Sequence, residues 1–139
     1  MHPEQSSDER NIERPHERDL LANVRPPERR NPKPCDRYHF LVIGAGPVGL
    51  VAARAAAALG AKVALIERYR LGGDCLNNGC VPSKTLIRTA RAYADMRNAA
   101  HFGAMPPDAV PVDFPAAMER MRRIRARTSR VDSASPFDP

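Results

Sequence analysis

Residues 40–49 read Phe40-Leu41-Val42-Ile43-Gly44-Ala45-Gly46-Pro47-Val48-Gly49, and this stretch decides the fold. Its short apolar, β-branched beginning is bounded by glycine and predicts a buried parallel strand. The alanine-rich segment over residues 48–59, followed by Gly60, predicts a helix with a left-handed glycine after its last turn. Residues 62–66 predict a second strand. The order strand, helix, strand therefore indicates a right-handed, parallel, Rossmann-like unit of the α/β class.

The glycines of this stretch have the spacing of a dinucleotide-binding fingerprint, G-x-G-x-x-G, with Pro47 inside it. Gly44 permits the tight turn, Gly46 lets the backbone approach a pyrophosphate, and Gly49 lets helix and strand pack closely. The N-terminus of the helix then offers unpaired N–H groups to the anion. Glu67 closes the second strand, and we expect it to accept hydrogen bonds from adenosine ribose hydroxyls. The fingerprint alone does not separate FAD from NAD, and glycines that merely make a turn are the alternative.

Residues 71–84, Leu-Gly-Gly-Asp-Cys-Leu-Asn-Asn-Gly-Cys-Val-Pro-Ser-Lys, place two cysteines on a turn just downstream. In an undistorted helix Cys75 and Cys80 would point to different faces, so the turn must be distorted. Asn77, Asn78 and Gly79 are residue types that tolerate such backbone angles. A small strained loop would make a labile, exchangeable disulfide. A zinc half-site and an inert buried pair are the alternatives, and no further cysteine or histidine pair is present to complete a metal site.

The same fourteen residues resemble the active-site signature of the class I pyridine nucleotide-disulfide oxidoreductases, G-G-x-C-x-N-x-G-C-x-P-S/K-K, with every fixed position occupied. This family includes dihydrolipoyl dehydrogenase, glutathione reductase and mercuric reductase. The resemblance implies a redox disulfide in which Cys75 exchanges with substrate and Cys80 faces the flavin. It also implies that Lys84 lies near the flavin. A helix N-terminus and Lys84 would lower a thiol pKa, and we expect Gly72 and Gly73 to bring the backbone near the FAD phosphate or ribitol.

The resemblance covers about residues 38–134 and implies FAD as cofactor, with NAD(P)H bound by a later domain and a homodimer as the assembly. We therefore expect residues 37–139 to be the N-terminal part of an incomplete FAD-binding domain in a truncated, cytoplasmic chain. Such a chain would bind FAD weakly and lack NAD(P)H-linked turnover. A mercuric-reductase-like enzyme acting on Hg(II) is slightly favoured over a dihydrolipoyl-dehydrogenase-like one, from general resemblance of residues 112–134.

Residues 1–36 are rich in Arg, Pro and Glu and poor in apolar side chains, which predicts a disordered tail. The net charge of +6 and the pI near 9.8 come mostly from arginine in the terminal segments. A non-catalytic FAD-binding remnant or a basic binding module is therefore the alternative function. No aromatic-rich basic patch supports a nucleic-acid partner. Arg54 and Lys62 interrupt the long apolar run, so we expect no membrane span.

The remainder of the chain predicts two helices joined by a proline-rich loop over residues 103–111. The first covers about residues 81–100, with Pro82 in its first turn. The second begins after Asp113, which caps it. Its apolar side is expected to include residues at helical spacing, namely Phe114, Met118, Met121, Ile124 or Arg125, and Thr128.

Overall fold

The computed structural model describes residues 14–134, and a parallel strand-helix-strand unit lies at its centre. Strand β1 is Phe40–Ile43, helix α2 is Pro47–Ala58 and strand β2 is Val63–Ile66. The two strands pair in parallel, with Phe40 opposite Val63 and Ile43 opposite Ile66. Apolar side chains at successive positions form the strands, and the alanine-rich segment between them forms the helix. The predicted Rossmann-like unit is therefore confirmed.

Glycine makes the turns at both ends of α2. Gly44 has a φ of 96°, and its N–H donates to the carbonyl of Ile66 at 2.8 Å, which ties the turn to the end of β2. At the other end Gly60 has a φ of 85° and donates to Ala57 at 2.9 Å. The N–H of Ala61 reaches back to Ala56 at 3.0 Å. This pair of bonds is the Schellman motif that the sequence predicted after the helix.

The two strands are less buried than the sequence predicted. Phe40 is 43%, Leu41 54% and Ile43 81% exposed. Among the described residues the sheet has only two strands, and α2 contacts both of them. A parallel sheet buries its strands only when both faces and both edges are covered. The expectation of a buried strand is corrected for this reason, while the strand itself is present.

Within the described residues, three α-helices follow the sheet. The short helix α3, Gly73–Asn77, carries the first cysteine of the turn, and α4, Cys80–Arg97, begins at the second. After a 3-10 turn at Ala99–Phe102, helix α5 spans Phe114–Ser129 and packs on α4. Asp113 caps α5 as predicted, since its Oδ1 accepts from the N–H of Ala116 at 2.9 Å. Phe114, in contrast, is exposed, and the buried side of α5 is made by smaller residues, namely Ala117, Met121, Ala126 and Ser129.

A helix also forms near the N-terminus, in residues predicted to be a disordered tail. Helix α1 is Pro15–Val24 and packs along α5. Leu20 and Val24 are buried with Leu76 and Ala126 in the apolar core, against which Leu71 and Val81 pack. Their spacing of four places both side chains on one helical face, and this burial offsets the entropy of ordering. The predicted tail is corrected here, whereas its first thirteen residues lie outside the described part of the chain.

No helix within residues 14–134 is both long enough and apolar enough to cross a membrane.

Candidate functional site

The fingerprint loop joins β1 to α2 with almost no space between helix and strand. A Cβ built on Gly49 would lie 1.9 Å from the carbonyl oxygen of Gly44 and 3.3 Å from the side chain of Val42. Gly46, by contrast, faces open space, because a Cβ there meets nothing within 4 Å. Gly49 therefore allows the close packing expected of it, and Gly46 leaves the approach to the helix N-terminus clear. The predicted loop geometry is present in both respects.

The N-terminus of α2 is open to an anion. Gly46 is its N-cap and supplies no side-chain hydrogen bond, while Pro47 occupies the first turn. The N–H groups of the next residues therefore have no side-chain cap, and the helix dipole adds positive potential at this end. An open groove of about 520 Å³ runs from β1 past this point and is lined by the fingerprint residues Gly44, Gly46, Pro47, Val48 and Gly49, among others. These features suit a pyrophosphate group.

Glu67 lies at the end of β2 with its carboxylate directed at the fingerprint loop. Its Oε2 accepts from the N–H of Ala45 and its Oε1 from the N–H of Tyr69, each at 2.8 Å. Each carboxylate oxygen has a further lone pair, so the group can still accept hydrogen bonds from ribose hydroxyls. The structure thus gives Glu67 a role that the sequence did not predict, because it fixes the loop as well as facing the site.

Gly72 and Gly73 join the cysteine turn directly to the fingerprint loop. The N–H of Gly72 donates to the carbonyl of Ala45 at 2.7 Å. A Cβ on Gly73 would lie 2.9 Å from the Cα of Gly46. Both glycines also have positive φ, at 84° and 55°, which a side chain would disfavour. The two motifs predicted separately from sequence are therefore in contact, and only glycine fits where they meet.

Cys75 and Cys80 lie on opposite sides of a break between two helices. Cys75 is within α3, whereas Cys80 is the first residue of α4. The first helix ends where the carbonyl oxygen of Asp74 accepts two hydrogen bonds. One comes from the N–H of Asn78 at 2.9 Å and the other from the N–H of Gly79 at 2.6 Å. A Cβ on Gly79 would lie 3.0 Å from that same oxygen. The predicted distortion of the turn is present as this break between the two helices.

The two cysteines are free thiols, and Cys75 is half-buried while Cys80 is exposed. The pKa of Cys75 is raised above its ordinary value, mainly by a hydrogen bond with the Cys80 side chain that favours the protonated form. Partial burial raises the pKa further, and the positive charge of Lys84 lowers it by less. The expectation of a lowered thiol pKa is therefore wrong for Cys75, because the neighbouring thiol outweighs the lysine.

Lys84 lies one turn after Cys80 on α4, and it is exposed. Its charge reaches the dithiol, since it is among the causes acting on the Cys75 pKa. Cys35, the third cysteine, is exposed and well removed in sequence from the pair. Within residues 14–134, no three His, Cys, Asp or Glu side chains are grouped so that they could hold a metal ion. The described site thus combines two neighbouring thiols with a glycine loop whose geometry suits an anion.

The sequence did not predict which residues anchor the turn. The buried side chain of Asn77 donates through Nδ2 to the carbonyls of Leu71 at 3.1 Å and Gly73 at 2.8 Å. The carbonyl of Asn77 in turn accepts from Arg125 Nη1 at 3.0 Å. The signature has a fixed asparagine at position 77, and this was a sequence signal for the side-chain bonds to Leu71 and Gly73. Nothing in the sequence pattern indicated the second, because Arg125 lies forty-eight positions away.

Comparison with known proteins places this site within a described family. The sequence model of the family described as Pyridine nucleotide-disulphide oxidoreductase matches residues 38–134, which include the fingerprint loop and both cysteines of the turn. The chain is 45% identical over 94 residues to a dihydrolipoyl dehydrogenase of Zymomonas mobilis, which covers 66% of this chain. It is 46% identical over 85 residues, or 61% of this chain, to the dihydrolipoyl dehydrogenase of Chlamydia muridarum.

A third dihydrolipoyl dehydrogenase, from Bacillus subtilis, is 40% identical over 87 residues, which is 63% of this chain. These matches cover 20%, 18% and 18% of the three relatives. The chain therefore spans about a fifth of the length of the curated relatives it matches.

Proposed function

The chain belongs to the pyridine nucleotide-disulphide oxidoreductase family, and from this premise we propose that it carries a redox-active dithiol, Cys75 and Cys80, next to part of an FAD site. The observation that carries the proposal is the direct contact between the two motifs. The Gly72 N–H bonds to Ala45, and Gly73 packs on Gly46. A dinucleotide bound by the loop would therefore lie beside the thiols.

Members of this family are FAD-dependent flavoenzymes, and the residues present fit that cofactor. In the proposal the N-terminal N–H groups of α2 bind the pyrophosphate, with Gly46 giving the backbone access to it. Glu67 accepts hydrogen bonds from the adenosine ribose, and its charge disfavours a 2′-phosphate there. Gly72 and Gly73 border the phosphate or ribitol region, and Lys84 lies on the flavin side of the dithiol.

Bound FAD would supply two-electron transfer between a nicotinamide and the dithiol. In the dithiol itself, we assign substrate exchange to Cys75 and the flavin-facing position to Cys80. As a thiolate, Cys75 attacks one sulfur of a disulfide substrate, and the other substrate sulfur leaves with the electron pair. Cys80 then attacks Cys75, which closes the Cys75–Cys80 disulfide and releases the second substrate thiol. The side chain of Cys80 interacts with that of Cys75, so the two thiols are neighbours for this second step.

The substrate class of the complete protein is proposed to be the disulfide form of a dihydrolipoyl-type dithiol, which the steps above reduce with electrons from NAD(P)H, and the proposed assembly is a homodimer. Its support is that the three relatives described above are dihydrolipoyl dehydrogenases. The prediction of a mercuric-reductase-like enzyme acting on Hg(II) has no such support among them. A cytoplasmic location agrees with the absence of a membrane-spanning helix in residues 14–134, and it stays a prediction.

Oxidation of the purified chain tests the dithiol. Trypsin releases both cysteines in one peptide, residues 71–84, because cleavage follows Arg70 and Lys84. After treatment with glutathione disulfide, this peptide should lose two hydrogen atoms in mass without gaining glutathione. Cys35→Ala is the matched control and should behave as the parent chain does. A peptide that carries two glutathione groups instead would contradict the proposed redox pair.

Titration with FAD tests the cofactor site. FAD should bind the chain with a shift in its visible absorbance, and reduction of the dithiol should add a long-wavelength shoulder that is absent in Cys80→Ala. The same spectra should be unchanged in Cys35→Ala. An FAD spectrum that protein does not alter at any concentration would contradict the cofactor assignment.

A further inference from the structure

Helix α1 lies outside the residues that match the family, yet it packs directly beneath the cysteine turn. The match begins at residue 38, whereas α1 ends at Val24. Leu76, the neighbour of Cys75, is buried in one core cluster with Leu20 and Val24 of α1. The N–H of Leu71 donates to the carbonyl of Val24 at 3.0 Å. The helix therefore contacts the turn at its entrance, Leu71, and at the residue that follows its first cysteine, Leu76.

A buried ionic bridge adds a polar connection between α1 and the turn. Oε1 of Glu17 pairs with Arg70 at 3.1 Å, and Oε2 of Glu17 pairs with Arg125. The Glu17 and Arg70 side chains are each 7% exposed, and that of Arg125 is 15% exposed. A charge so far removed from water is stable only when it is paired. The position of Glu17 therefore fixes the positions of both guanidinium groups.

Arg125 carries this connection to the dithiol. While its Nη2 binds Glu17, its Nη1 donates to the carbonyl of Asn77 at 3.0 Å. Asn77 is the last residue of α3, two positions after Cys75, and its side chain bonds back to Leu71 and Gly73. The planar guanidinium group holds both partners at once in a fixed geometry. Glu17 is thus linked through one arginine to the backbone between the two cysteines.

We propose that α1, through Glu17 and Arg125, positions the turn so that the sulfurs of Cys75 and Cys80 meet, and thereby stabilises the disulfide. The proposal rests on the proposed role of the two cysteines as a redox pair. Neither Glu17 nor Arg125 touches a reacting atom, so both are positioning residues. When the turn is held rigid, each thiol spends more time close to the other, so their effective concentration is higher. Loosening the turn lowers the stability of the disulfide relative to the two free thiols.

The equilibrium between dithiol and disulfide in glutathione buffers tests this in the full chain carrying Cys35→Ala. In the reaction the two thiols give two electrons and two protons to glutathione disulfide, which becomes two glutathione thiols. Glu17→Gln removes the carboxylate charge, and we expect the equilibrium constant for disulfide formation to fall about tenfold, which is about 30 mV in reduction potential. Arg125→Lys keeps the charge beside Glu17 but cannot bridge to Asn77, and a fall of about threefold is expected.

Glu119→Gln is the matched control, because Glu119 of α5 also pairs with α1, through His16 at 3.3 Å, without contacting the turn. It should leave the equilibrium constant within about twofold of the parent value. Equal constants in the parent chain, Glu17→Gln and Arg125→Lys would overturn the proposal. A parent chain that forms no intramolecular disulfide would instead refute the proposed redox pair, so the two failures are distinguishable.

Hydrogen exchange in the parent chain gives a second test that does not depend on a variant folding. Because coupling between two parts of a protein is reciprocal, closing the disulfide should slow exchange of the α1 amides over residues 15–24. The 3-10 turn at residues 99–102, which packs on α4, should exchange equally in both redox states. Equal exchange of α1 in the two states would overturn the positioning role.

Discussion

At the scale of single residues, the site depends on where side chains are absent as much as on where they are present. Gly49 allows α2 to start against the end of β1, and Gly73 allows the cysteine turn to lie on the fingerprint loop. Gly46 is a different case, because within residues 14–134 no atom lies within 4 Å of the position that its Cβ would take. Gly49 and Gly73 are therefore required by the fold. Gly46 is required by the pyrophosphate that the loop is proposed to bind.

Alanine substitution at two glycines should separate these requirements. Gly49→Ala places a methyl group 1.9 Å from a backbone oxygen, so we expect the free energy of unfolding to fall by about 2 kcal/mol. Gly46 has a φ of −71°, which alanine adopts without strain, and Gly46→Ala should change stability by less than about 0.5 kcal/mol. The same variant should weaken FAD binding about tenfold. Urea unfolding and FAD titration give the two measurements, and equal stabilities would contradict the steric argument.

The raised pKa of Cys75 predicts the pH dependence of its alkylation. Because only the thiolate reacts, the rate of Cys75 modification should reach half its maximum at a pH above the ordinary range for cysteine. Cys80→Ala removes the largest cause of the shift, so its curve should move to lower pH. Peptide mapping after iodoacetamide at several pH values gives both curves. A curve that is unmoved or moved upward would show that the hydrogen bond does not control this thiol.

The raised pKa of Cys75 also makes the stability of the fold depend on pH. The folded state binds the Cys75 proton more tightly than the unfolded chain does, so this contribution is fully present below the unfolded pKa. It is lost as pH rises through the folded pKa. The free energy of unfolding should therefore decline in the alkaline range, and the decline should be smaller in Cys80→Ala. Urea unfolding at a series of alkaline pH values measures the difference, and identical declines would contradict it.

At the scale of elements, helix α5 supports both α1 and the cysteine turn, so its own N-terminus matters. Asp113 caps it by accepting from the N–H of Ala116 at 2.9 Å. Asp113→Ala should lower the free energy of unfolding by about 1 kcal/mol. Asp108→Ala, in the exposed preceding loop, is the control and should stay within about 0.5 kcal/mol of the parent. Thermal unfolding of the two variants compares them, and similar losses would show that the cap is not the cause.

The elements also differ in how far sequence predicted them. The strands, α2, α4 and α5 each have a local pattern, such as an apolar run, an alanine-rich segment or a capping residue. Helix α1 fully buries only two apolar side chains, Leu20 and Val24, and lies in a charged, proline-rich segment. Alone it could not bury enough apolar surface to fold. Its partners, Leu76 and Ala126, lie more than fifty residues away. Helix α1 forms because of tertiary contacts, and these cannot be predicted from the local sequence pattern.

At the scale of the whole molecule, the described residues leave a large apolar surface exposed around the sheet. Ile43 is 81% exposed, and Phe40, Leu41, Val48 and Val51 are exposed near it in sequence. Such surfaces associate or bind hydrophobic probes. We expect the chain to bind an anilinonaphthalene dye, and Ile43→Lys to reduce the dye fluorescence without lowering stability. Val131→Lys is the control, because it changes an exposed apolar residue just after α5. If it reduced the dye fluorescence as much as Ile43→Lys does, the dye would not be binding at the sheet.

The sequence by itself determined the strand-helix-strand unit, the fingerprint loop, the distorted turn with its two cysteines, and through them the family. These features are local: each depends on the conformational range of glycine, on apolar periodicity or on the spacing of a few residues. Only the tertiary structure decided that Gly72 and Gly73 lie against the fingerprint loop, that Cys80 raises the Cys75 pKa, and that α1 folds beneath the turn. The contacts of Gly73 and of α1 join residues far apart in the chain, and packing and burial set their distances. The Cys75 pKa depends on where the break between α3 and α4 places Cys80.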